Sequence, residues 1–262
     1  MNILEEIVAQ KKVEVAENKV LQPVQALEKS IYFKSPKVSL SGYIKRPDLS
    51  GVIAEFKRQS PSKGIINDEA NVEKVSIGYM QAGASALSVL TDKKYFGGSN
   101  KDLMTARKFN FCPILRKDFI IDEYQIIEAK SIGADAILLI AAILTLDEAK
   151  QLTEFAHQLG LEVLLEIHDE SELPYAELPV DVVGVNNRDL KAFKTSIENS
   201  IRIYDRLPAD KVKISESGIH AVEDVKKLRA KGFDGFLIGE NFMKQAEPEL
   251  AARDFLKAIK HV

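Results

Sequence analysis

The sequence predicts an α/β chain folded as one closed (β/α)8 (TIM) barrel with an N-terminal helical extension, and three observations carry that reading. The chain has 262 residues, a length at which α/β barrels of about 250 residues fold as a single unit. From residue 51 onward a short β-rich apolar run, a polar or glycine-containing loop and a longer helix-like segment recur in turn, which is the signature of βα units and a parallel sheet. The unit recurs eight times and uses up the chain, whereas a doubly wound sheet usually stops at about five to seven strands.

Taken in order, residues 1–47 precede the first strand. Met1 to Asn18 reads as a helix, and Val20 to Pro47 mixes a helix-like patch with loops. This extension either caps the barrel or contributes to its site. The strand runs are Gly51 to Phe56, Ser85 to Leu90, Pro113 to Lys117, Asp135 to Ile140, Glu162 to Ile167, Asp181 to Asn186, Lys211 to Glu216 and Gly235 to Gly239. Glycine stands just upstream of several of them, as in Ser131-Ile-Gly-Ala-Asp and Arg229-Ala-Lys-Gly-Phe-Asp, where helices commonly stop. Between the strands the periodicity is helical; Val225 and Leu228 share a face with lysines opposite. No linker or low-complexity stretch divides the chain, so a single domain spanning 1–262 is expected, with nothing left at the carboxyl end for a fused partner enzyme.

Charge and cysteine content narrow the class. Lysine plus arginine number 36 against 39 acidic residues, a formal charge of −3, so neither a nucleic-acid nor an anionic-membrane partner is expected. The single cysteine, Cys112, cannot form an internal disulfide, which suits a reducing compartment. The acidic start, Met1-Asn-Ile-Leu-Glu-Glu, is unlike a signal peptide. The most apolar stretch, from Asp135 to Leu144, is too short for a membrane helix of roughly 20 residues. A cytoplasmic enzyme acting as a monomer or weak homo-oligomer is the expectation.

In such a barrel the carboxyl ends of the strands face the functional mouth, and residues two apart on a strand share a face. Glu55 and Lys57 end the first strand with the same parity. Buried charges of this kind are costly unless paired, so they mark a site or an ion pair plugging the barrel. The stretch from Ser60 to Asn71 exceeds the roughly 2–6 residues usual for a βα loop and reads as a lid or binding loop. Ser60 offers a hydroxyl to an anion or to a turn. Lys117 and Phe119 end the third strand, Glu166 the fifth, Asn186 and Arg188 the sixth, Glu216 and Ser217 the seventh, and Gly239 and Glu240 the eighth. Loops after the last two strands form the recurring phosphate site of these barrels, through backbone amides. Ser217-Gly218 and Gly239-Glu240 fit it, provided that Glu240 turns its side chain away and contributes its amide. Carboxylates interleaved with lysines oppose a divalent cation, so no metal and no other cofactor is expected. The set suits acid/base chemistry on an anionic substrate, lysine being the acid and glutamate the base.

These motifs, Ile53-Ala-Glu-Phe-Lys-Arg-Gln-Ser-Pro-Ser-Lys-Gly, Leu90-Thr-Asp-Lys-Lys-Tyr-Phe-Gly-Gly-Ser, Leu115-Arg-Lys-Asp-Phe, Glu166-Ile-His, Gly184-Val-Asn-Asn-Arg-Asp-Leu, Ser215-Glu-Ser-Gly-Ile and Leu237-Ile-Gly-Glu, together resemble the indole-3-glycerol phosphate synthase family over nearly the whole chain. The resemblance implies closure of the indole ring of 1-(o-carboxyphenylamino)-1-deoxyribulose 5-phosphate, with loss of carbon dioxide and water, in tryptophan biosynthesis. It implies Lys117 as general acid, Lys57 beside the substrate carboxylate or acting as an acid in dehydration, and Glu166 as base. It casts Glu55 as holding the lysines charged and oriented, and Asn186, Glu216 and Ser217 as orienting the substrate or steadying the lysines. Ser60, Gly218, Gly239 and Glu240 match the phosphate side, and Arg188 a supporting polar position. Phe96, Phe119 and Leu138 either enclose the anthranilate ring or pack the core. Where some family members carry serine after the eighth-strand glycine, this chain has Glu240.

Three other readings compete. Phosphoribosylanthranilate isomerase resembles this fold but uses a cysteine at the end of the first strand, where this chain has Glu55 and Lys57; Cys112 precedes the third strand and reads as an inert buried thiol. Some Schiff-base aldolases carry lysine at the sixth strand, where Asn186 stands. A non-catalytic phosphate-binding barrel would bind without turnover.

Overall fold

A computed structural model describes residues 3–189 and 195–260; Met1, Asn2 and Leu190, which the sequence reading placed in the first helix and the sixth-strand motif, lie outside the described residues. Eight parallel strands close a barrel: β1 (Val52–Phe56), β2 (Ala86–Leu90), β3 (Ile114–Lys117), β4 (Ala136–Ile140), β5 (Glu162–Ile167), β6 (Val182–Asn186), β7 (Val212–Glu216) and β8 (Gly235–Ile238). Each strand lies within one residue of its predicted run, and β1 pairs with both β2 and β8 to complete the ring.

Strict alternation sorts the side chains into two cores. Val52, Ala54 and Phe56 of β1 join Val163, Leu165 and Ile167 of β5 in the layer between sheet and helices. Ile53, Leu115, Leu164, Val182, Val212, Ile214 and Leu237 fill the barrel interior instead. By the same parity, Glu55, Lys117, Glu166, Asn186 and Glu216 continue the inward rows at the carboxyl ends of their strands. Apolar side chains thus occupy the lower interior, and the charges begin where the strands end.

The helices are α1 (Ile3–Leu21), α2 (Val24–Leu27), α3 (Leu40–Ile44), α4 (Val72–Gln81), α5 (Lys93–Phe96), α6 (Asn100–Phe109), α7 (Glu123–Ser131), α8 (Leu146–Gln158), α9 (Leu173–Ala176), α10 (Glu198–Ile203), α11 (Val222–Lys231), α12 (Glu240–Met243) and α13 (Pro248–Ile259). Their starts follow from local chemistry. Asn71, Asp92, Ser99, Asp122 and Thr145 each accept a backbone N–H of the helix that follows, satisfying donors that have no intrahelical partner. Among the described residues, no helix is long and apolar enough to cross a membrane.

The extension serves both ends of the barrel. Leu40 and Ile44 of α3 are buried against the interior residues Ile53, Ala86 and Val212, and Ser39 and Ser41 bond the Glu162 carboxylate at the start of β5, so α3 closes the amino end. Helix α1 lies at the mouth. Ile7, Lys11 and Val15 recur every fourth residue and are buried, the spacing of one helix face. Lys11 interrupts that apolar stripe because it meets Asp92 and Asp118, each at 2.9 Å, and Glu14 at 3.0 Å. Burial opposes its charge, but the carboxylates of Asp118 and Asp92 raise its pKa overall.

Candidate active site

Lys117, at the end of β3, is the hub of the mouth. Its Nζ lies 3.2 Å from Glu166 Oε2 and 3.0 Å from Glu216 Oε2. Burial works against the ammonium, yet Glu216, Glu166 and Glu55 together push its pKa up. On β1, Lys57 pairs with Glu55 at 2.8 Å. Glu55 is buried, which favours its neutral form, but Lys57 and Lys117 hold its carboxyl below its ordinary value. Glu166 is likewise buried, and Lys117 and His168 keep it well below the usual carboxylate range.

Glu216 is the contrasting member. It is 1% exposed, and Oε1 has no hydrogen-bond partner among the described residues. Burial, with Glu166 adding to it, outweighs Lys117 and pushes its carboxyl up to about 7. Two carboxylates therefore share one ammonium, one firmly ionised and the other poised near neutrality.

Two glycines make room for these acids. A Cβ at Gly184 of β6 would stand 2.0 Å from Glu216 Oε1, and one at Gly239 would stand 2.5 Å from Glu55 Oε1 and 2.9 Å from its Cβ. Gly184 is register partner to Glu166, and Asn186 to Glu216, so the β5, β6 and β7 groups sit at neighbouring levels.

Two contiguous cavities open on this cluster. The first, of about 160 Å³, is walled by Ile3, Leu4 and Ile7 of α1 with Leu90, Phe96, Phe119, Leu138 and Ile140, and the charged groups Lys117, Glu166 and His168 reach into it. The rings of Phe96 and Phe119 pack at 5.9 Å. Asn186 and Ser60 also border it, Ser60 with a buried hydroxyl lacking a hydrogen-bond partner among the described residues. The second, of about 340 Å³, is polar and is bordered by Ser62, Lys63, Thr195, Gly218, Gly239, Glu240 and Asn241. Glu55, Lys57, Arg188 and Ser217 border both.

The β7 and β8 ends shape the second cavity. Ser217 is the one non-glycine residue with positive φ among the described residues, at 67°, followed by Gly218 at 71°. Such a conformation costs roughly 1–3 kcal/mol for a residue with a Cβ and persists where surrounding structure enforces it, often at functional sites. Here Asn187 Nδ2 donates to the Ser217 carbonyl at 3.0 Å. Gly239 precedes α12, whose first amides have no intrahelical partner. The Glu240 carboxylate does not turn away as the sequence reading required. It lies 3.5 Å from Arg188 Nη2 and 3.7 Å from Lys63 Nζ, drawn by the two cations. Arg188 Nη1 also donates to Ser62 Oγ.

The long loop after β1 is a folded hairpin, Gln59–Ser60 against Gly64–Ile65. Arg58 holds one end to Asp102 at 2.8 Å, and Asn67 Nδ2 ties the other to the carbonyls of Met243 and Gln245, both at 3.2 Å.

The mouth thus gathers every candidate site residue named from the sequence, and adds some to which the sequence reading gave no role. His168, two residues after Glu166, had a readable signal in its parity. Ile3, Leu4 and Ile7 had only helical spacing, and Ser62, Lys63 and Thr195 had none that distinguished them from loop residues. Cys112 lies in the loop entering β3, at the opposite end, buried, its thiol pushed up to about 12 by burial, so an isomerase of the cysteine type has no thiol at this mouth.

The sequence profile of the indole-3-glycerol phosphate synthase family matches residues 4–255. The chain belongs to the indole-3-glycerol phosphate synthase family. Indole-3-glycerol phosphate synthase of Bacteroides thetaiotaomicron is 52% identical over 259 residues, covering 99% of each chain. That of Caldanaerobacter subterraneus subsp. tengcongensis is 44% identical over 262 residues, covering 98% of this chain and 99% of its own. Among solved structures, a mutant tryptophan synthase alpha-subunit from Pyrococcus furiosus superimposes with a TM-score of 0.60 at 13% identity, over 83% of this chain and 99% of that one. At that identity the likeness speaks for the barrel fold alone.

Proposed function

We propose that this member of the family converts 1-(o-carboxyphenylamino)-1-deoxyribulose 5-phosphate to indole-3-glycerol phosphate, carbon dioxide and water, as a carboxy-lyase of tryptophan biosynthesis, by lysine and glutamate acid/base catalysis in a cytoplasmic enzyme. The observation that carries the reading is the pair of joined cavities. An apolar chamber bordered by Phe96, Phe119 and Leu138 meets a polar one bordered by Lys63 and Arg188, with Lys57 between them. The substrate has the same two ends, an aromatic ring and a phosphate, with the reacting ketone between.

In this reading Lys57 faces the carboxylate to be lost, and Lys117 protonates the ketone oxygen as the ring carbon bearing that carboxylate attacks the ketone carbon. A new carbon–carbon bond forms and the carbonyl becomes a hydroxyl. Carbon dioxide then leaves, its bonding electrons returning to the ring. The hydroxyl departs as water, with Lys57 or Lys117 supplying the proton, and Glu166 removes the proton whose loss completes the indole. Glu216, poised near pH 7 and 3.0 Å from Lys117, can return a proton to the lysine, because an acid whose pKa lies near the operating pH is in part protonated there. Glu55 keeps Lys57 charged and placed. Ser60, Ser217, Gly218, Gly239 and the Glu240 amide serve the phosphate end, and Asn186 and Arg188 orient the chain between.

The test is to supply that substrate and follow indole fluorescence. Lys117→Ala and Glu166→Gln are each expected to lower kcat by about 10²–10⁴-fold in folded protein. Folded wild-type protein that produces no indole signal, or two variants with normal turnover, overturns the reading.

A further inference from the structure

We propose that His168 is a positioning residue for Glu166, its ring standing between Glu166 and Glu172 and fixing which way the Glu166 carboxylate faces the cavity. The inference deepens the proposed function, since it rests on Glu166 as an acid/base group. His168 follows β5 with the parity of Glu166, so both project inward. Its Nε2 lies 3.2 Å from Glu166 Oε1 and its Nδ1 lies 3.5 Å from Glu172 Oε2.

The backbone is fixed on both sides. His168 N–H donates to Glu172 Oε2 at 2.6 Å, and Asn199 Nδ2 donates to the His168 carbonyl at 2.8 Å and to that of Asn186 at 3.2 Å. The side chain is 9% exposed and borders the apolar cavity, yet neither ring nitrogen makes a well-aligned hydrogen bond. The ring therefore acts on Glu166 through charge and contact at 3.2 Å. Burial disfavours the imidazolium, but the two carboxylates outweigh it and hold the ring cationic up to about pH 10.

Two cations then divide the Glu166 carboxylate between them. Lys117 of β3 takes Oε2 and His168 takes Oε1. Across the mouth, Glu55 and Lys57 of β1, Asp118 after β3, Arg188 after β6 and Glu216 of β7 are the further charged residues lining the same cavity, with neutral Asn186 of β6. Without His168, Oε1 has no cation and the carboxylate is held by Lys117 and Asn186 alone.

The test has two arms. In 15N NMR of the resting protein, which has four histidines, the His168 resonances are assigned by their loss in His168→Asn. They should stay doubly protonated from pH 6 to 9, and the midpoint should fall by about 1–3 units in Glu166→Gln, as for loss of an opposite charge at this distance. Titration near the ordinary histidine value, or a midpoint unmoved in Glu166→Gln, overturns the proposal. In kinetics, His168→Asn and His168→Gln should lower kcat by about 10–100-fold through misorientation and leave KM nearly unchanged. Normal kcat, or an effect confined to KM, overturns it. The NMR arm needs no substrate, so failure of the functional reading, seen as wild-type protein without turnover, is distinguishable from failure of the proposal.

Discussion

Gly184→Ala tests the architecture of the mouth without replacing any charged group. The added methyl carbon would stand 2.0 Å from Glu216 Oε1, 3.1 Å from its Cδ and 3.2 Å from Leu164 Cδ1. Cβ contacts under 3.0 Å are essentially never seen, so the carboxylate must retreat by about 1 Å. It cannot do so freely, because Glu216 is 1% exposed and its other oxygen is held 3.0 Å from Lys117 Nζ. Lys117 therefore loses or re-forms the contact that steadies it. A misplacement of about 1 Å in a reacting group can cost roughly 10²-fold, and overpacking typically destabilises by about 1–3 kcal/mol. The variant should show kcat lowered about 100-fold by indole fluorescence, with a modestly lower urea midpoint. Adding Glu216→Asp withdraws the carboxylate by a methylene and should recover part of the lost stability. A Gly184→Ala protein that turns over like the parent would falsify the claim that glycine is there to seat Glu216.

Three further outcomes follow from the charges. Lys11→Met leaves Asp92 buried without a cation and Asp118 with Arg116 alone and should destabilise the fold by about 3–5 kcal/mol in urea unfolding, the cost of one uncompensated buried charge; an unchanged midpoint refutes the coupling of α1 to the mouth. His168 has a folded pKa of about 10 against an ordinary 6.5, so the stability it confers is fully present below pH 6.5 and is lost as pH rises toward 10. The thermal stability gap between wild type and His168→Asn should narrow from pH 6.5 to 10, and a constant gap counts against the charged ring. Glu240→Gln removes a carboxylate that Arg188 and Lys63 now contact, freeing both for a phosphate. KM for the phosphorylated substrate should fall by about two- to fivefold, the worth of a partly exposed pair, and a raised KM would show that the carboxylate assists binding.

The barrel was legible because its signals are local and repeated. Eight apolar runs and glycines such as Gly133 and Gly232, observed at φ 94° and 118°, place the strands within a residue. Parity on each strand then sufficed to bring Glu55, Lys117, Glu166, Asn186 and Glu216 to one mouth. What escaped depends on contacts between distant segments. Nothing near Lys11 in sequence says that it meets Asp92 and Asp118, or that α1 walls the apolar cavity. The placement of the Glu240 side chain escaped for a related reason: it follows Arg188 and Lys63, which come from other loops.

The near-zero net charge of the chain hides how its charges are distributed. At the heart of the mouth stand Glu55, Glu166 and Glu216 against Lys57 and Lys117, and with His168 cationic the two signs are matched. Matching matters because these groups are buried, and a lone buried charge tends to shift its pKa and neutralise. Glu216 is where the balance is least secure: it has Lys117 alone, which it shares with Glu166, and its carboxyl rises to about 7. The same shortage of cations weakens its ionisation, while Glu166, held by two cations, stays ionised. Unequal pairing around one lysine thereby separates two chemically identical side chains, one held ionised and the other pushed toward its neutral form.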